Sequence, residues 1–411
     1  MMKKNLCRHC KNPLTQKFVD LGESPPSNEY IDKCNIEKDE KKFPLQVFVC
    51  NNCWLVQTAD FTKGEELFKD DYAYLSSTSN SWIEHCKTYT SNIIKKLSLD
   101  SSSFVVELAS NDGYLLQHFQ ENNIKNIGVE PTRGTAEIAQ QKGIETVVAF
   151  FGENLSRTLV KQYCKADLII GNNVYAHVPD INDFTRGMKS LLNDEGVITL
   201  EFPSLLSLIQ NNQFDTIYHE HFSYLSLTSV QKIFKSQNLR IWNVENIKTH
   251  GGSLRVYGCH KDSNHVEDKS VKAQLDLEIQ AQLDSIKGYE GFQTICESIK
   301  SNFRNFLSQA RKDNKRVIGY GAAAKGNTLL NFSNIKSDMI EYVCDGSRFK
   351  QNKFMPGSKI PILSPDILED DIPDYVIIFP WNIVDEIKEL LQKHRKNGTK
   401  IVTFIPEMKI W

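Results

Sequence analysis

The sequence predicts an α/β protein: a small N-terminal zinc-binding module followed by two Rossmann-like, doubly wound sheets. Three observations carry this. Two C-x-x-C pairs, Cys7/Cys10 and Cys50/Cys53, lie in an opening stretch with no helix long enough to build a core. A β-α-β-α rhythm begins near Asn80, and a second β-α-β unit begins at Arg316. Strand and helix in strict alternation give a parallel sheet with crossover helices.

The elements follow in order. The first 60 or so residues read as short strands and turns, with a Pro25-Pro26 turn and an alternating run from Phe43 to Val49. So small a segment needs a staple. Strands are expected at 104–108, 126–130, 146–149, 167–171 and 197–202, with helices from Gly113 to Phe119 and from Thr135 to Gln141. The runs 241–244 and 253–257 are expected to close an edge of that sheet or form a hairpin. Residues 261 to about 313 are polar and helix-periodic. Leu275, Leu277, Ile279, Leu283 and Ile286 form a broken apolar stripe that Ile299, Phe303 and Phe306 continue. This reads as one or two connecting helices. Strands at 316–320, 341–344, 375–379 and 400–404, with a helix from Gly326 to Phe332, make the second sheet. The expected domains are 1–70, 71–260 and 261–411.

Composition sets the class. The 411 residues suggest two or three domains at about 150 residues each. Hydrophobic residues at 40% and charged residues at 24% suit a soluble globular chain with packed cores. A net charge of -2, from 49 basic and 51 acidic residues, offers no surplus for binding nucleic acid. The longest apolar runs are far short of the roughly 20 residues that span a bilayer. The start, Met1-Met2-Lys3-Lys4-Asn5-Leu6-Cys7, does not read as a signal peptide. The expectation is a cytoplasmic monomer with no membrane and no nucleic-acid partner.

Four cysteines in two C-x-x-C turns match a tetrahedral metal site, because each turn presents two thiolates on one side. Four thiolates without histidine indicate a closed, structural ion, zinc by default; in a reducing compartment such pairs bind metal more often than they form disulfides. The run Val105-Val106-Glu107-Leu108-Ala109-Ser110-Asn111-Asp112-Gly113-Tyr114 is a strand ending in a small-residue turn that opens a helix. Small residues there let a ligand lie close over the backbone. Glu130, followed by Pro131, ends the next strand, where a carboxylate would grip both ribose hydroxyls. The turn has one glycine and adds Glu107 and Asp112. Acids in that place repel phosphates and suit a sulfonium carrying an α-amino group, so S-adenosylmethionine fits better than NAD. Ala109, Asn111 and Gly113 are the turn's expected contacts.

The fourth strand ends in Gly171-Asn172-Asn173-Val174-Tyr175-Ala176-His177, on the ligand side, so Asn173 and His177 are expected near the methyl group or the substrate. After the fifth strand comes Tyr218-His219-Glu220-His221-Phe222. On a loop or strand its two histidines would point oppositely, which argues against a shared metal. A histidine with carboxylate and phenol neighbours suits acid–base work. Gly319-Tyr320-Gly321-Ala322-Ala323-Ala324-Lys325 is a second small-residue turn opening a helix, fit for a diphosphate with Lys325 adding charge. Asp345, at the end of the next strand, could hold a ribose.

In order along nearly the whole chain, these pieces resemble the sugar C-methyltransferases that methylate C-3′ of nucleotide-linked 4-keto deoxysugars. The resemblance also runs through Cys50-Asn51-Asn52-Cys53-Trp54-Leu55-Val56-Gln57, Asp71-Tyr72-Ala73-Tyr74-Leu75-Ser76-Ser77, His250-Gly251-Gly252-Ser253-Leu254-Arg255, Lys350-Gln351-Asn352 and Trp381-Asn382. Ala109 stands where the family's turn usually has glycine, and Pro25-Pro26 enriches the N-terminal loop. The resemblance implies a zinc module, a central S-adenosylmethionine domain and a C-terminal nucleotide-sugar domain. It implies His221 as the base, with Glu220 and Tyr218 beside it and Tyr72 reaching the sugar. It places the nucleotide-diphosphate sugar among Tyr72, Ser77, His177, His250, Gly251, Lys325, Asn327, Asn352 and Trp381. The alternatives are an NAD-linked oxidoreductase using the C-terminal unit and a nucleotide-sugar-binding protein without turnover.

Overall fold

The computed structural model describes residues 5–59, 76–78 and 80–411. The N-terminal module is an antiparallel meander of β1 (Gln16–Ser24), β2 (Phe43–Val49) and β3 (Val56–Thr58). Alternation sets its faces: Leu45, Val47 and Val49 are buried, and the residues between them are half-buried. Its apolar face does not close on itself. Phe18 stacks on Phe292 with ring centroids 4.6 Å apart, so the module shares a core with the C-terminal domain.

Helix α1 (Asn80–Leu97) leads into the central sheet. Strands β4 (Phe104–Leu108), β5 (Lys125–Val129), β6 (Thr146–Val147), β7 (Ala166–Asn172) and β8 (Leu192–Pro203) pair in parallel. The short β9 (Ser223–Tyr224) follows, then helix α2 (Leu227–Ser236), β10 (Leu239–Ile247) and β11 (Ser253–His260). The sheet order is β10-β11-β8-β7-β4-β5-β6, with β11 antiparallel to both neighbours. The expected edge and the expected hairpin are therefore the same two strands. All five residues of β4 are buried, as in a strand covered on both faces. The order reverses between β4 and β7, which opens a crevice at their carboxyl ends.

Two local expectations are corrected. The third strand stops at Val147, and Ala149 and Phe150 turn into the crevice instead. The first helix starts at Leu116 rather than Gly113. Ala109, Asn111 and Gly113 have φ of 56°, 49° and 75°, left-handed values that no right-handed helix accommodates.

Two helices, α3 (Lys269–Gln280) and α4 (Phe292–Lys312), link to the last domain. In α4 the expected stripe holds, with Ile299 and Phe303 buried. In α3 it does not: Leu277 and Ile279 are exposed, and Val271, Gln274 and Glu278 face inward. The reason is Glu278. Its carboxylate accepts the backbone N–H of Leu227 and of Thr228, both at 2.8 Å, and the Thr228 hydroxyl at 2.7 Å. It thus meets the open donors at the start of α2 with negative charge.

The C-terminal sheet comprises β12 (Val317–Tyr320), β13 (Val343–Cys344), β14 (Ile362–Leu363), β15 (Tyr375–Ile378), β16 (Lys400–Thr403) and β17 (Lys409–Ile410). Its order is β14-β13-β12-β15-β16-β17, parallel except for β17. Helix α5 (Ala324–Phe332) follows β12. Among the described residues, no helix is long and apolar enough to cross a membrane. Glu278→Ala would strand buried donors at the start of α2; we expect it to lower stability by about 1–3 kcal/mol in chemical denaturation.

Candidate active site and metal centre

The four cysteines converge. Their Sγ atoms all lie within 4.8 Å of one another, with Cys7–Cys53 and Cys10–Cys50 each at 3.5 Å. Zinc–sulfur bonds of about 2.3 Å in a tetrahedron put sulfurs about 3.8 Å apart, so the cradle fits the ion. The two turns are built alike. Lys11 and Trp54, the residues after each pair, have φ of 60° and 64°, and their N–H groups return to the carbonyls of Cys7 and Cys50. Gln57 Nε2–H donates to Cys7 Sγ at 3.2 Å.

At the central crevice, Glu130 organises the turn after β4. One carboxylate oxygen accepts from Asn111 N–H at 2.9 Å and the other from Thr132 N–H at 2.8 Å. Asn111 Oδ1 in turn accepts from Ser76 N–H at 2.9 Å. Ala109, Asn111, Glu130, Pro131 and Asn173 line one end of a cleft of about 1160 Å³, with Phe150 and Phe151 supplying apolar wall. Ala109 tolerates its left-handed φ at a steric cost that glycine would avoid.

The two acids of the turn lie differently. Glu107 is fully buried outside the cleft lining, and burial drives its carboxyl well above the usual carboxylate range. Asp112 is ion-paired to Lys142 at 3.1 Å. Gly113 also lies outside the lining, where a Cβ would come within 3.0 Å of Ile144.

The middle of the cleft holds His177, Tyr218, His221 and His250. His221 Nδ1 lies 2.8 Å from the Thr216 carbonyl. A carbonyl only accepts, so Nδ1 carries the proton and Nε2 keeps the lone pair. Burial holds the His221 imidazole well below its ordinary pKa, so it is neutral. His177 Nδ1–H donates to the Glu220 carbonyl at 2.8 Å, and burial lowers its pKa to about 4. The His221 ring centroid is 4.6 Å from that of His177 and 4.0 Å from that of Tyr218. His250, at φ 55°, is likewise lowered to about 4 by burial. The two histidines of the H-x-H do diverge: His219 Nε2 meets the Phe43 carbonyl at 3.2 Å in the zinc module. The Glu220 carboxyl is buried behind Asn28, which lines the cleft. It accepts from Asn28 Nδ2 at 3.2 Å, and burial raises it to about 7.

The far end is formed by Ala323, Ala324, Lys325, Lys350 and Asn382. Lys325 Nζ donates to Asn382 Oδ1 at 2.7 Å and sits 4.4 Å over the Trp381 ring. Burial lowers its ammonium to about 8.

Several other expected contacts are not in this lining. Ser76 lines the cleft and Ser77 does not. Asn327 is buried and donates to the Ser27 carbonyl at 2.7 Å. Asn352, at φ 64°, donates its N–H to Ile362, outside the cleft. Gly251 packs against the Trp381 ring, and the Trp381 indole N–H is taken by Asp215. Asp345 accepts the N–H groups of Ala322 and Ser347, one on each oxygen. Tyr72 lies outside the described residues. The sequence reading missed Asn28, Trp82, Phe150, Phe151 and Lys350; the aromatic pair follows a strand's carboxyl end, which was the available signal.

Three family models match successive stretches: "Putative zinc binding domain" over residues 7–68, "Methyltransferase domain" over 82–244, and "C-methyltransferase C-terminal domain" over 248–406. The chain is 32% identical over 404 residues to the C-methyltransferase NovU of Streptomyces niveus, covering 98% of this chain and 96% of that protein. Similar solved structures include magnesium protoporphyrin IX methyltransferase from Synechocystis PCC 6803 with bound SAM. It is 14% identical at a TM-score of 0.33, over 44% of this chain and 82% of that one. A S-adenosylmethionine-dependent methyltransferase from Clostridium acetobutylicum ATCC 824 is 13% identical at a TM-score of 0.36, over 45% of this chain and 93% of that one.

Two outcomes follow from the geometry. Elemental analysis of purified protein should find about one zinc per chain, and Cys50→Ser should lose it. A metal-free preparation that stays folded would contradict the cradle. Glu130→Ala should weaken adenosylmethionine binding by at least about tenfold in calorimetry, since charge-assisted bonds contribute roughly 1.5–3 kcal/mol each. An unchanged dissociation constant would remove Glu130 from the cofactor site.

Proposed function

Because this chain belongs to the S-adenosylmethionine-dependent C-methyltransferase family, we propose that it methylates C-3′ of a 4-keto-6-deoxysugar carried on a nucleoside diphosphate. The observation that carries the mechanism is His221, neutral, with Nδ1–H on the Thr216 carbonyl and Nε2 left as the basic nitrogen at the cleft.

The chemistry restricts the substrate. Carbon methylation needs a carbanion equivalent, and a sugar C–H becomes acidic only beside a carbonyl. A 4-keto group supplies that carbonyl for C-3′. Adenosylmethionine, when bound, supplies an electrophilic methyl group. Everything else falls to the chain. His221 Nε2 takes the C-3′ proton. The enolate oxygen requires donors, and the Tyr218 hydroxyl, on a ring 4.0 Å from that of His221, is the candidate. His177, its ring against that of His221, contacts the reacting groups and is held by the Glu220 carbonyl; Glu220 thus acts through its backbone while its carboxyl supports Asn28. Lys325 and the N-terminus of α5 attract the diphosphate, a pairing of positive charge and open N–H groups. Glu130 and Asn111 mark the adenosyl end, so the reacting carbon lies between two anchored ligands.

His221→Asn should lower turnover on the order of 10²–10⁴-fold with both ligands still bound. Proton abstraction is read separately. With adenosylhomocysteine in heavy water, wild type should exchange the C-3′ hydrogen of a 4-keto nucleotide sugar above the solution background, and His221→Asn should not. A variant that exchanges or turns over as fast as wild type would transfer the role to another group.

A further inference from the structure

The loop that carries His221 is fastened to the C-terminal domain by a buried hydrogen bond with no part in the proton transfer itself. Trp381 turns its indole away from the cleft, and Nε1–H donates to Asp215 Oδ2 at 2.7 Å. Asp215 is 2% exposed and lies in the short turn Phe214–Thr216. The next residue, Thr216, offers the carbonyl that orients His221. The path from indole to base is therefore one hydrogen bond, one peptide unit and a second hydrogen bond.

The surroundings fix this path from several directions. Thr328 on α5 donates its hydroxyl to the Ile217 carbonyl at 2.8 Å, holding the residue after Thr216. Gly251 lies against the Trp381 ring so closely that a Cβ would come within 2.4 Å of it, and its carbonyl accepts from Gln213 Nε2 at 2.7 Å. Lys325 Nζ stands 4.4 Å from the ring centroid and belongs to the cleft wall. Trp381 thus touches the cation at the sugar end of the cleft and, through its N–H, the loop of the base. An indole N–H and a carboxylate buried together each satisfy a group that would otherwise be costly to hide.

We propose that Asp215 and Trp381 are positioning residues: their hydrogen bond is a strut that fixes the Thr216 carbonyl under His221 and makes the pose of the base depend on the C-terminal domain. This rests on the reading of His221 as the C-3′ base. Neither residue takes or gives a proton in the reaction.

The test is steady-state kinetics of the full chain with adenosylmethionine and a 4-keto nucleotide sugar that wild type accepts. A displacement of the base near 1 Å costs about 10²-fold. Asp215→Ala should therefore lower kcat about 10²-fold and change KM for the sugar by less than about threefold. Trp381→Phe should show the same split. The double variant should be no slower than the worse single one, since both remove one strut. Asp215→Asn keeps an oxygen that accepts from the indole and should recover to within about tenfold of wild type. A raised KM at unchanged kcat, losses that multiply in the double variant, or Asp215→Asn as slow as Asp215→Ala would overturn the strut. If Asp215→Ala does not fold, Trp381→Phe and Asp215→Asn decide by the same kcat and KM criteria. His221→Asn run alongside separates the two claims. Retained C-3′ exchange there defeats the base assignment; lost exchange there, with wild-type kcat in the Asp215 and Trp381 variants, defeats the strut alone.

Discussion

The backbone ladder between β9 and β3 is the constraint on which the site depends. Ser223 pairs with Gln57 and Tyr224 with Val56, so a strand that follows β8 of the central domain completes the sheet of the zinc module. Thr58 N–H extends the ladder to the Phe222 carbonyl at 3.1 Å. His221 thus lies two residues before the strand by which the chain, having left the central sheet at Pro203, enters the module's sheet. The cysteines act on this ladder through a short path. Arg8, between two of them in sequence, donates to the carbonyls of Thr58 and Pro179, and its guanidinium lies 5.2 Å from the Phe222 ring centroid. The module is too small to hold such a geometry with its own core, and a closed tetrahedral ion replaces the missing apolar burial.

Burial does the electrostatic work at the centre. The cleft lining carries the carboxylates of Glu130, Asp180 and Asp183 and the cations Lys325 and Lys350. Three histidines in the same lining are kept neutral chiefly by desolvation, with the Lys325 charge adding to the effect at His221 and His250. A neutral imidazole whose Nδ1–H is fixed by a carbonyl has one basic nitrogen in one direction, which suits abstraction from carbon beside a ketone.

Legibility in the sequence followed periodicity and spacing. The parallel strands were readable because strands such as β4 are apolar on both faces, and the metal cradle because C-x-x-C turns fix ligand geometry locally. His177 follows the carboxyl end of β7, and Tyr218 and His221, well past β8, were marked by their clustering with a carboxylate; all three line the cleft. What the sequence did not show had non-local causes. Glu107 and Asp112 look alike beside a turn, yet one is buried behind it and the other is claimed by Lys142, 30 residues away. The stripe through Leu277 and Ile279 was overruled by a carboxylate that caps a helix about 50 residues upstream. Asn327 and Trp381 are in the right neighbourhood, but Ser27 and Asp215 take their donors.

The sharing of sheet β1-β2-β3-β9 between two parts of the chain also bears on how this architecture can be recombined. A chimaera that exchanged residues 1–70 for those of a relative would split a continuous hydrogen-bonded sheet, placing three strands from one parent against a fourth from the other. The segment around 214–224 would have to travel with the N-terminal piece, although some 140 residues separate them in sequence. In modular terms the unit of exchange is therefore the strand together with its distant partner, not the domain as the chain order would divide it.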